Sequence, residues 1–450
     1  MKLKKFDYKL PHEERKKKKR IMIILSSVVI CIVITLASSY AYYQSIELQN
    51  PYDTKVGEFN SGDIIFAVTI DGESSSTFPV KEAGYIVESV TCDKGATGKW
   101  DNGLWDIRVS GLTQSQTICN IEFITGIWTL ANEIKQQGGG VSAIEAKGDP
   151  AFNVAPTAAT SGIYATDDEY GTSYYYRGDK SSLKNNLIFA GFQWKIVRVN
   201  GDGSVRIIYN GTEAQFNTNK EVNTTGTNTQ IGTWSFNGNT NNNSYLNYTN
   251  SSIKTYIDNW YANNIITKGI SVMEKITDNL FCNDRQLGRD YPGAPQDGDG
   301  WNGTGVGTSR TYYAAYFRIG INSSNPKPTL KCAQKNDRFT VIDVSVGNGV
   351  LTYPIGLITA DELSYSGIVG VRVIANQYMS TLESFWTLTP SLYSPSIANM
   401  LLLTSNSSTE ETLQHGMDVR HSYGVRPVLN LNANTIVTGS GSATDPFKVI

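Results

Sequence analysis

Arg426 stands in the run SYGVRPVLNL, Ser422 to Leu431. Tyr423, Val425, Pro427, Leu429 and Leu431 alternate onto one strand face, which puts Arg426 on the other, beside Val428. An arginine so placed is either a ligand-binding charge or a clamp inside the fold. Pro427 cannot donate a ladder hydrogen bond, so the strand belongs at an edge or a bulge. Other catalytic candidates are few. Of three histidines, His12 lies in the N-terminal segment, so nucleophile–histidine chemistry is confined to His415 and His421. Neither histidine has zinc-site spacing. Asp297 and Asp299 in QDGDGWNG suggest a calcium loop, but Trp301 stands where its fifth position needs a ligand. Asp167, Asp168 and Glu169 read as a solvated turn. No phosphate-cradling G-x-x-x-x-G-K run occurs. No metal site, no cofactor and no catalytic set is expected.

The elements that must position these residues follow from composition. The chain has 450 residues, 40% of them hydrophobic and 11% aromatic, with a formal net charge of -2. That supports two or three packed domains. Basic residues concentrate before Ile21, so no basic stripe is left for nucleic acid. Residues 21–43 form an uncharged apolar run after Lys16–Arg20. At about 1.5 Å per residue it reaches across a bilayer core of about 30 Å. The expectation is a single-pass signal-anchor helix, N-terminus cytoplasmic and the remainder extracytoplasmic, with a cleaved signal peptide as the competing reading. Cys31 falls in this run. Cys92, Cys119, Cys282 and Cys332 remain, an even number that suggests two disulfides outside the cytoplasm. Three connectivities are open, and Cys92–Cys119 with Cys282–Cys332 respects the domain boundary.

Six segments are expected: a basic tail at 1–20, the membrane helix at 21–43, a linker at 44–56, a small Ig-like β domain at 57–126, a helical linker at 127–150 and an α+β domain at 151–450. In the small domain, DIIFAVTI, GYIVESVTC, LWDIRVSG and TICNIEFI read as strands between turn residues. In the large one, FQWKIVRVNGDGSVRIIY reads as a hairpin around Asn200-Gly201-Asp202-Gly203. SSIKTYIDNWYANNI places Ile253, Tyr256, Ile257 and Trp260 on one helix face. ITADELSYSG carries a capping box, Thr359 answered by Glu362. The Asn- and Thr-rich stretch 217–250 reads as an exposed loop.

GIYATDDEYGTSYYYRGD, FAGFQWKIVRVNGDGSVRIIYNG, FCNDRQ, LKCAQKNDRFTV, LTYPIGLITADEL, FWTLTPS and YGVRPVLNL occur in this order. As a set they resemble a family of uncharacterised surface proteins of Firmicutes and related bacteria, over roughly residues 162–450. The C-terminal half is similar to the C-type-lectin-like fold of formylglycine-generating enzymes. That resemblance implies an α+β head in which Trp386 and Arg426 are structural, Arg426 as a clamp. It also implies a ligand surface on the loops before the last strand, where Tyr393, Asn406, His415, Asp418, Arg420 and His421 are the candidates. The copper-binding cysteine pair of those enzymes has no counterpart here, so the fold carries over and the oxidase activity does not. The expected function is a membrane-anchored surface protein that binds or adheres to a glycan or protein ligand without catalysis. A structural envelope component and a carboxylate- or metal-dependent enzyme are the alternatives.

Overall fold

In the computed structural model, the described residues are 64–450 apart from 80–84, 102–104, 126–128, 214–227, 241–243, 247, 293–299, 301–302, 321–324, 369, 371–375, 382 and 408–409. They form two compact units, which meet in sequence at Thr125 and Gly126.

In the first unit Ile64–Ile70 runs parallel to Thr117–Thr125, which pairs antiparallel with Tyr85–Cys92. The hairpin Thr97–Asp101 and Asp106–Ser110 makes a separate two-stranded sheet. Val68, Ile121 and Phe123 from the larger sheet meet Ile107 from the hairpin. Trp100 sits edge-on to Phe123 and Phe78. Cys92 and Cys119 are register partners on neighbouring strands, and their disulfide therefore joins two strands of one sheet.

The second unit is built on two sheets. One carries Val428–Leu431, Val205–Thr212, Phe192–Val199, Asn186–Phe189, Phe447–Val449 and Val437–Thr438 in that order. The other carries Thr233–Ser235, Ser422–Gly424, Phe385–Ser394, Ile397–Ser407 and Glu410–Asp418. The expected hairpin is present, with the Asn200 amide bonded to the Ser204 carbonyl and Gly203 at φ +84° closing its turn. The helix Ser252–Asn264 buries Ile253, Ile257 and Tyr261. Residues 127–150 were expected to link domains. Instead, Leu130, Ala131, Ile134 and Ile144 join the core of the second unit. The helix Leu130–Gln137 is tied there by the Leu130 amide on the Thr435 carbonyl.

Three expectations are corrected. First, among the described residues no helix is long and apolar enough to cross a membrane. The longest of them, Ser252–Asn264, has 13 residues; at about 1.5 Å each it falls short of a bilayer core of about 30 Å. Residues 1–56, which hold the expected tail, membrane helix and linker, lie outside the described residues. The expectation of a membrane helix in the fold class, and the signal-anchor and single-pass membrane localisation drawn from it, is thus corrected to this: the described residues hold no membrane-spanning helix. Second, among the described residues strand outweighs helix, 38% to 16%, so the fold is mostly strands where an α+β fold was expected. Third, SYGVRPVLNL is not one strand. It breaks after Gly424 and resumes at Val428, and its two halves belong to different sheets. Proline inside the break removes a ladder donor at the point where the chain changes sheets.

Candidate functional site

The break in that strand explains Arg426. Its side chain is fully buried, and its Nε donates to the Tyr209 carbonyl at 3.0 Å. The guanidinium lies over the Phe385 ring, 4.8 Å from its centroid. The Tyr209 amide in turn bonds the Pro427 carbonyl. Arg426 thus holds the crossover between the sheets. Trp386, the residue after Phe385, is buried and donates from Nε1 to the Trp234 carbonyl at 2.9 Å.

A second set of buried charges gathers at the helix Ala360–Ser366. Thr359 caps its start by accepting from the Glu362 amide at 3.1 Å. Glu362 Oε2 accepts from the Thr359 amide at 2.8 Å, completing the capping box. Oε1 is left for two arginines: Arg198 Nη1 at 2.9 Å and Arg206 Nε at 2.6 Å. Burial alone would raise the Glu362 pKa, but Arg206, Arg198 and the Thr359 donors hold it below the usual carboxylate range. The preceding residue, Asp361, accepts twice from Arg318 at 2.7 Å, and Asp284 binds the same guanidinium at 2.8 Å. Burial would lower the Arg318 pKa, yet the two carboxylates hold it above its ordinary value. Three arginines meet three carboxylates around a space of about 20 Å³, room for one water. Every charge here is spent on another.

A larger cleft opens elsewhere in the second unit, with a volume of about 250 Å³. Ile253 and Ile257 of the long helix form one wall, and Leu388, Pro390 and Leu392 of the Phe385–Ser394 strand another. Phe281, Phe339 and the 350–357 segment close the remaining side. The charged groups at its lining are engaged. Lys254 pairs with Asp258, and Arg285 donates to Asp337 Oδ1 at 2.8 Å and to the Tyr245 carbonyl at 2.7 Å. Burial pushes the Asp337 carboxyl up, against the pull of Arg285. Two amide oxygens are not engaged. Asn399 is 7% exposed, and its Oδ1 has no hydrogen-bond partner in the protein. Asn283 Oδ1, on the same lining, has none either. A buried acceptor left in this state costs about 1–3 kcal/mol.

The sequence-derived ligand residues divide. Tyr393 lines the cleft, its ring 4.9 Å from that of Tyr245. Asn406 lies in the strand Ile397–Ser407, and its side chain is outside the described set. His415 is on the strand Glu410–Asp418, edge-on to Tyr316 at 4.7 Å; burial lowers its pKa. Asp418 is occupied by Arg420, whose Nε reaches both carboxylate oxygens, and accepts the Arg420 amide too; these bonds hold its carboxyl below the usual range. The His421 amide bonds the Asp418 carbonyl. The segment expected as a loop is three antiparallel strands. Of the acidic candidates, Asp297 and Asp299 lie outside the described residues. Asp168 accepts the Tyr170 and Gly201 amides, and Glu169 accepts the Cys332 amide. Among the described residues no group of three or more His, Cys, Asp or Glu could hold a metal ion. Asn399 and Asn283 were missed. The one trace of Asn399 in the sequence is an amide interrupting the apolar run IANMLLL.

No family model, no curated protein and no solved structure matches the chain.

Proposed function

We propose that this protein is a non-catalytic binding module whose ligand is a small neutral amphiphile held in the cleft at Asn399. Its apolar walls suit a one- or two-ring or branched aliphatic body. The observation that carries the proposal is the Asn399 oxygen, nine-tenths buried, on the lining and without a partner in the protein. An N–H or O–H donor on the ligand would answer it, and Asn283 offers a second acceptor. A charged ligand fits less well, because Lys254 and Arg285 are already neutralised. The same pairing leaves no free acid, base or nucleophile among the charged groups of the lining, which favours binding over catalysis.

The test is a nuclear magnetic resonance screen of neutral phenols, anilides and indoles against the wild type and Val350→Trp. Val350 lines the cleft and is 60% exposed, so a larger side chain there obstructs the cleft without disturbing the core. Shift changes are expected at Tyr393, Asn399 and Leu351 in the wild type and not in the variant. No hits, or hits unchanged in Val350→Trp, would overturn the proposal.

A further inference from the structure

Lys195 presents a charge problem that the ion-paired arginines around the helix Ala360–Ser366 avoid. It lies in the middle of the strand Phe192–Val199 and is 5% exposed. Its one hydrogen bond goes from Nζ to Asn186 Oδ1 at 2.5 Å. Among the described residues no carboxylate pairs with it, whereas Arg198, Arg206 and Arg318 all have one. Its charged neighbours are cations, Arg426 and Lys180. A buried ammonium beside two positive charges and answered only by an amide is poorly compensated. Burial first, then these two cations, push the Lys195 amine down to about 7, which leaves a large share of free base at neutral pH.

The partner is placed as an electrophile would be. Asn186 is directly opposite Lys195 in the antiparallel register and is 3% exposed. The oxygen that Nζ touches is one bond from the side-chain carbonyl carbon. The Asn186 nitrogen is held separately, donating from Nδ2 to the Gly441 carbonyl at 2.9 Å. The Gly441 carbonyl also accepts the Asn186 backbone amide, which fixes this residue on both sides. Holding an amine and an amide together in a dry core converts a slow bimolecular reaction into an intramolecular one.

We propose that Lys195 and Asn186 form an intramolecular isopeptide bond. The Nζ lone pair attacks the Asn186 Cγ, a C–N bond forms, and the bond from Cγ to Nδ2 breaks. The proton lost from Nζ leaves with Nδ2 as ammonia. No oxidant or co-reactant takes part. The product is a neutral secondary amide, which removes the buried charge that nothing else answers. It also fastens the strand Asn186–Phe189 to its neighbour. That strand in turn pairs with Phe447–Val449, so the bond anchors the rung on which the C-terminal strands are laid.

Mass spectrometry of a tryptic digest of the full chain tests this directly. Trypsin cuts after an unmodified Lys195 and releases residues 185–195. An acylated Lys195 is not cut. The expected product is the peptide 185–198, uncleaved at Lys195 and lighter than its sequence by one ammonia, with no backbone fragments separated between Asn186 and Lys195. In Lys195→Arg the ammonia loss should vanish. Recovery of residues 185–195 at full mass, after prolonged incubation at neutral pH, would overturn the proposal. So would an ammonia loss accompanied by normal cleavage after Lys195, since that marks a cyclised asparagine. The wild-type digest separates these outcomes by itself, whether or not the variant folds.

Discussion

Around the helix Ala360–Ser366, three arginines are buried against three carboxylates, and each charged group is engaged by an opposite charge. In the apolar cleft, Asn399 is just as enclosed, but its oxygen points to no partner in the protein. Burial is similar in both places and the polar accounting is opposite: ion pairs answer the charged groups of the first, and nothing in the protein answers the amide oxygen of the second. Where a fold answers its own polar groups, those groups serve the fold. Where it leaves one unanswered beside a cavity, the group faces outward in chemical terms.

Removing a charge from the first region should therefore cost most. Glu362→Gln leaves Arg198 and Arg206 buried with a weaker, neutral partner. A loss of about 3–5 kcal/mol is expected in urea unfolding of the second unit. A loss under about 1 kcal/mol would mean that the arginines find other partners and that this core is less tightly matched than its contacts imply. Next comes the disulfide Cys282–Cys332, whose first cysteine lines the small space between the ion pairs. Replacing both cysteines with serine should cost about 3–4 kcal/mol by loop-closure entropy. Thr359→Ala should cost about 1 kcal/mol, because it removes the cap and one of the donors that hold Glu362 in place. The smallest effect on stability is expected in the cleft. Asn399→Leu removes an acceptor that nothing in the protein satisfies, so unfolding should be unchanged or slightly harder. If Asn399→Leu were as damaging as Glu362→Gln, the contrast between the two regions would fail.

The first region is partly legible in the sequence. Thr359 and Glu362 stand three apart ahead of a helix, and the capping box forms as the spacing predicts. Its second role, with Oε1 between two arginines from the Phe192–Tyr209 hairpin, is not visible there, because the partners are more than 150 positions away in the chain. Arg426 as a clamp rests on resemblance, with backbone carbonyls or a carboxylate as the partners expected; in the structure its side chain meets a backbone carbonyl and an aromatic face. The late segment reads as loops because it is rich in serine, threonine and asparagine. In the structure those hydroxyls are used inside a sheet: Thr387 donates to the Leu401 carbonyl at 2.7 Å, and Ser391 to the Asn399 carbonyl at 3.2 Å. Small polar side chains bonded across strands satisfy themselves and mimic loop composition. The cleft leaves almost no trace in the sequence, since a helix, two strands and several connecting segments each give it a few ordinary apolar residues.

The most direct test is a calorimetric titration of the tightest-binding neutral compound from the screen into three proteins. The wild type should bind one equivalent saturably, Asn399→Leu should bind at least about tenfold more weakly through the lost hydrogen bond, and Val350→Trp should not bind. Equal affinity in all three, or no heat with any panel member in the wild type, would contradict the account.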